Sequence, residues 1–96
     1  MLALTVDLRI AEAHSLKEKR SVVTPILEGA RRRFHVAAAE TGRVDAHTRA
    51  ELAFVGVSGS ATHTAELIDT VERFVWSFPE IEVVDVGRDW LEVDAW

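Results

Sequence analysis

Residues 2–10 alternate without a break, with Leu2, Leu4, Val6, Leu8 and Ile10 on one side and Ala3, Thr5, Asp7 and Arg9 on the other. A side-chain period of two belongs to a strand buried on one face, whereas a helical period of about 3.6 would scatter these five aliphatic residues around the cylinder. The first element is therefore a half-buried strand, and the rest of the chain must supply its cover.

Ser15 stands just before Leu16 and three residues before Glu18, the spacing of a capping box that satisfies orphan backbone donors at a helix start. From there Leu16, Val23, Ile26, Leu27, Ala30 and Phe34 share one stripe of a helical wheel, the face expected to lie on the sheet. Pro25 interrupts the segment. It has no N–H for the carbonyl of Ser21 and crowds the preceding turn, so the helix is expected to kink or to divide in two, with Thr24 capping the second piece.

A short strand over about 34–40, turn residues Thr41 and Gly42, and a second strand from Arg49 to about Ser58 read as a hairpin with a long loop. Helical period returns over 61–78, with Leu67, Ile68, Val71, Phe74, Val75 and Phe78 on one side and Asp69 and Arg73 paired on the other, and Pro79 ends it. A last strand runs from Ile81 to about Val93. It is expected to be irregular near Val83 and Val84, where the alternation shifts, and near Gly87, where a bulge would fit.

The order is βαββαβ. Two βαβ halves with right-handed crossovers close as a ferredoxin-like α+β sandwich, a four-stranded antiparallel sheet with two helices on one face. A single domain over 1–96 is expected, because a chain of 96 residues is long enough for one core and too short for two. Its 48% hydrophobic and 28% charged residues are globular in balance, so it is expected to fold alone.

Composition closes off much chemistry. The absence of cysteine removes disulfides, thiolate metal sites and a cysteine nucleophile. Asn, Gln and Tyr are absent too, and neither a phosphate-binding loop nor a dinucleotide fingerprint is present. His14, His35, His47 and His63 fall singly, without metal-ligand spacing. No catalytic residue, metal, cofactor or small-molecule substrate is indicated, and a non-enzymatic binding domain is the expected role. No apolar run is long enough to span a membrane, and Asp7 and Arg9 in the first strand are foreign to a secretory leader, so no membrane association and a cytoplasmic location are expected.

The string Ser15-Leu16-Lys17-Glu18-Lys19-Arg20 directly after a first strand, Arg33-Phe34 leading into Val36-Ala37-Ala38-Ala39-Glu40, and Arg49-Ala50-Glu51-Leu52 opening the third strand form a distinctive set. With the acidic and hydrophobic last strand Val84-Asp85-Val86-Gly87-Arg88-Asp89-Trp90-Leu91, the chain resembles the bacterial DUF503 (YlxP-like) family over nearly its whole length. The resemblance implies a ferredoxin-like fold without an established activity, and a gene neighbourhood of translation and ribosome maturation factors. No catalytic residues carry over, and the partner it hints at is RNA or the ribosome.

Charge is uneven. Residues 1–50 hold nine Lys/Arg and six Asp/Glu, against two and ten in 51–96, giving +3 and −8. This is either a basic binding face or two halves that attract each other. Lys17, Lys19, Arg20, Arg31 and Arg32 on the first helix are the candidate nucleic-acid contacts, to be set against plain macrodipole and snorkelling roles. The third strand lacks the flanking base and second aromatic of an RRM, so any RNA contact would come from helix and loop charges.

Two features point to protein contacts instead. Trp76 lies off the apolar stripe of the second helix and is expected to be exposed, and Trp90 joins it as a candidate interface residue. The third strand carries Leu52 and Phe54 on one face and Ala53, Val55 and Val57 on the other, a pattern buried on both sides. A second copy, the segment from Trp90 to Trp96 or another protein must cover the open face, and a homodimer is expected. Last, Glu40, Asp45, His47 and Arg49 form a candidate anion or ligand cluster in the hairpin, with a solvated loop as the plainer alternative.

Overall fold

In the computed structural model, which describes residues 1–92, alternation in the first strand translates directly into burial. Strand β1 (Leu2–Arg9) sinks Leu2, Leu4, Val6 and Leu8 completely and leaves Ala3, Thr5 and Asp7 half-covered. Helix α1 (Leu16–Phe34) starts at Ser15, whose hydroxyl accepts the Glu18 N–H at 3.1 Å, while the Glu18 carboxylate accepts the backbone N–H of His14 at 2.6 Å. Both halves of the expected capping box are in use, the return bond shifted by one residue.

Pro25 neither divides α1 nor ends it. The helix is continuous over 19 residues, and both Pro25 and Ser21 face outward. The carbonyl that proline leaves without a donor is thus on the solvent side, where water can take it, which removes most of the reason to break. α1 also runs further than expected, through Phe34. It closes on His35, whose left-handed backbone (φ 55) returns its N–H to Arg31 O. Strand β2 accordingly begins late, at Ala37–Gly42, and β3 follows at Arg49–Gly56.

Helix α2 (Ala61–Trp76) is capped by Ser60, which accepts the His63 N–H, and ends just before Pro79. Strand β4 (Glu82–Trp90) pairs with β1. Its register slips where Asp7 faces Asp85 and Leu8 faces Val83, so the extra residue is Val84, as the broken alternation indicates. Gly87 pairs regularly with Thr5, so the bulge expected there is absent, and the space a side chain would take at this glycine is open. The expected strand end at Val93 and the residue Trp96 lie outside the described residues.

The sheet order is β2-β3-β1-β4, every neighbouring pair antiparallel, and both helices cover one face: the α+β ferredoxin-like sandwich. Ile26, Ala30, Ile68, Val71 and Val75 of the helices meet Leu4, Val6, Leu52 and Phe54 of the central strands in a single core. The helices meet each other through Phe34, Phe74 and Phe78, stacked edge to face at 5.3 and 5.1 Å. Gly29 admits the Phe74 ring, since a Cβ there would stand 2.6 Å from its Cζ. No helix among the described residues is long and apolar enough to cross a membrane.

Candidate functional site

The cations of α1 are less available than their number suggests. Lys19 is buried, 1% exposed, with its ammonium 2.7 Å from Glu40 Oε2 and within 3.0, 3.2 and 3.4 Å of the carbonyls of Arg43, Val44 and Arg49. It cannot be a nucleic-acid contact. It is a clasp that holds the β2–β3 loop against the helix, four acceptors around three donors. The Arg31 guanidinium donates from Nε at 3.1 Å, and from Nη2, to the carbonyl of Ala38 in edge strand β2. Arg32 pairs with Glu28 one turn back, and Arg33 lies over the rings of Phe34 and Phe74, 5.6 and 5.2 Å from their centroids. Lys17, Arg20 and Arg33 are the cations of α1 exposed without a carboxylate or carbonyl partner among the described residues, and of these Lys17 and Arg20 lack an aromatic one as well.

The hairpin cluster does not assemble. Glu40 faces Leu52 on the helix side of the sheet, where Lys19 takes it, whereas Arg49 faces Arg9 on the opposite side, where it reaches Asp7 Oδ2 at 2.9 Å. Asp45 and His47 are exposed in the loop between them and make no side-chain hydrogen bond among the described residues. Strand alternation sends Glu40 and Arg49 to opposite sides of the sheet, and Asp45 and His47 stay in the loop, so the four do not form one cluster. Among the described residues no three His, Asp or Glu side chains converge as a metal site.

The sheet face without helices is ordered in rows across the strands. Ala37, Val55, Ala3 and Asp89 form one row and Ala39, Ala53, Thr5 and Gly87 the next, a platform of short side chains. Below it Glu51, Asp7 and Asp85 stand side by side, followed by Arg49, Arg9 and Glu82. Like charges directly opposed across a ladder repel. Here Asp7 is compensated by Arg49 at 2.9 Å and Arg43 at 3.4 Å, and Arg9 by Glu82 at 3.7 Å. Two atoms of this cluster, Asp7 Oδ1 and Arg49 Nε, are buried with no hydrogen-bond partner.

A third surface lies along the opposite edge from β2. Arg88 of β4 reaches back to α2, 2.8 Å from Asp69 Oδ1 and 3.0 Å from Glu72 Oε1. Burial pulls its guanidinium down, but the hydrogen bonds and charges of Glu72 and Asp69 outweigh that and hold its pKa above the usual value. Glu72 also accepts from the Trp76 indole at 3.2 Å. Trp76 and Trp90 are both exposed, at 57% and 52%.

The clasp was legible in principle. Lys19 is three residues after Leu16 and four before Val23, inside the apolar stripe, and a lysine there must find a carboxylate. The Arg88 bridge had no comparable signal, since it depends on how α2 lies over an edge strand.

A family model described as "Protein of unknown function (DUF503)" matches residues 1–88. The chain is also similar to the uncharacterized protein YlxP of Bacillus subtilis (strain 168), 37% identical over 81 residues, covering 84% of this chain and 88% of that protein.

Proposed function

The chain belongs to the DUF503 family, and we propose that it works there as a non-enzymatic binding module whose working surface is the uncovered sheet face, closed in solution by a second copy. The observation that carries this reading is the platform of Ala3, Thr5, Ala37, Ala39, Ala53 and Val55. Short, mostly apolar side chains let two sheets approach to the ~10 Å spacing of a sandwich, and a polar row at one end fixes orientation. A solvated antiparallel face ordinarily carries long polar residues instead.

Sedimentation equilibrium over a concentration series tests it. The wild-type chain is expected to dimerise and Ala53→Glu to weaken the dimer at least about tenfold, because the new carboxylate would be desolvated at the centre of the interface. A chain that stays monomeric throughout, or a dimer indifferent to Ala53→Glu, overturns the reading.

One observation favours a second role, contact with RNA: Lys17 and Arg20 stand one turn apart on α1, exposed and unpaired among the described residues. Two phosphate contacts of this kind predict weak, sequence-indifferent binding that falls with salt. Charge reversal at Lys17 and Arg20 is expected to abolish binding of a short single-stranded RNA at low salt. Unchanged binding would remove this role.

A further inference from the structure

The sheet has two edges, and the chain treats them differently. At β2 the Arg31 guanidinium occupies a backbone carbonyl of the edge strand. At β4, nine residues long, the inner side is bonded to β1, and no side chain among the described residues caps the backbone on the outer side. Around that free edge stand four exposed apolar residues, Val84 (44%), Trp90 (52%) and Leu91 (41%) on or beside the strand and Trp76 (57%) on α2. Trp90 and Trp76 are linked through Arg88: Trp90 is two residues from it on the same side of β4, and Arg88 and the Trp76 indole share the carboxylate of Glu72.

The charge of this strip is one-sided. Glu82, Asp85 and Asp89 lie on β4, with Asp69 and Glu72 behind them; of the nearby cations Arg88 is held by Asp69 and Glu72, Arg9 by Glu82 at 3.7 Å, and Arg73 donates to the Thr70 hydroxyl, so Asp85 and Asp89 have no ion-pair partner among the described residues. A second β4 laid against the first would bring acid to acid. We propose that the β4 edge receives an extended, basic segment of another protein as a fifth strand. The backbone of the segment would take up the free hydrogen-bonding groups, as in strand addition generally.

Alternation specifies what such a segment must carry. Val86, Arg88 and Trp90 form the row on the helix side of β4, and Asp85, Gly87 and Asp89 the row on the open side. An added strand points its residues alternately to these rows. Apolar residues then pack on Trp90 and towards Trp76, while Lys or Arg at the intervening positions meet Asp85 and Asp89. The free backbone edge is distinct from the alanine-rich platform but meets it at Gly87 and Asp89, which end its two rows, so the association state of each variant is measured beside the titration.

The test is titration of the full chain with a synthetic ten-residue peptide alternating Arg and Val, followed by amide and indole NMR shifts. Controls are the same peptide with Glu for Arg and one with a central proline pair. Shifts are expected along Glu82–Trp90 and at the Trp76 and Trp90 indoles, at least about tenfold weaker with either control, and weaker again as salt is raised. Asp85→Lys with Asp89→Lys, both on exposed sites that leave the core intact, should cost about tenfold in affinity. Trp90→Ala should cost affinity without changing the salt dependence. Equal binding of the Glu peptide, shifts confined to another face, no shifts at millimolar peptide, or β4 amides that move on simple dilution because copies pair through this edge would each overturn the proposal.

Discussion

Replacing Lys19 by Met is the sharpest single test of how this fold is held. Methionine keeps the length of the apolar stem, so the packing against α1 and β2 is nearly conserved and the perturbation is the loss of the ammonium. What remains is the Glu40 carboxylate, 18% exposed, and the carbonyls of Arg43, Val44 and Arg49, which lose a donor at 3.0–3.4 Å. Removing one partner of a buried ion pair costs about 3–5 kcal/mol, and because Glu40 keeps some contact with water the lower end, about 3 kcal/mol, applies. For a domain of this size that is a large share of a total of roughly 5–14 kcal/mol, and it corresponds to a fall in Tm of about 12–24 °C. Urea denaturation of Lys19→Met, Glu40→Leu and the double variant measures it. The double variant should recover most of the loss, because no charge is then left unpaired. Amide exchange should quicken first around the 43–48 loop, where the Ala46 and Ile10 amides are bonded to Arg43 O and Thr48 O. A loss below about 1 kcal/mol for Lys19→Met, or a double variant as unstable as the two singles summed, would refute the reasoning.

Three further substitutions probe the helices, each read by chemical denaturation. Pro25→Ala restores a donor for the Ser21 carbonyl inside a continuous helix and should stabilise by about 1–2 kcal/mol, the ~3 kcal/mol helix penalty of proline less the entropy that proline removes from the unfolded chain. Gly29→Ala should destabilise by about 1–3 kcal/mol despite its better helix propensity, since the new methyl meets the Phe74 ring at 2.6 Å and that ring is held between Phe34 and Phe78. Ser15→Ala removes the acceptor for the Glu18 N–H and should cost about 1 kcal/mol.

The topology was readable because each element had its own signal: strict alternation for β1, a capping box for α1, a proline after α2, a broken alternation at the Val84 bulge. What could not be read was where side chains of different elements meet. The hairpin cluster shows why. Glu40, Asp45, His47 and Arg49 are close in sequence, but the residues pairing with Leu52 and with Arg9 point to opposite sides of the sheet, and that depends on a register that includes the slip between Glu40 and Gly42. Pro25 is the converse case. The local rule was sound, but the division of the helix that it allowed does not occur, because the outward position of Ser21 lets solvent satisfy the carbonyl that proline abandons.

The charge asymmetry now has a spatial meaning. If the basic and acidic halves of the sequence neutralised each other, ion pairs would cross between residues 1–50 and 51–92. Among the described residues one does, Arg9 with Glu82, at 3.7 Å and largely exposed. The other pairs stay within a half: Lys19 with Glu40, Arg43 and Arg49 with Asp7, Arg32 with Glu28, Arg88 with Asp69 and Glu72. α1 packs against β2 at one edge of the sheet while β4 forms the other, so positive and negative charge end on opposite sides of the domain. Contacts at such exposed charges add little stability. Their effect is on encounter: a field of this shape orients an approaching partner before contact and speeds association with a basic ligand at the β4 edge while repelling it from α1. Raising salt should therefore slow association with the Arg-Val peptide more than it quickens dissociation.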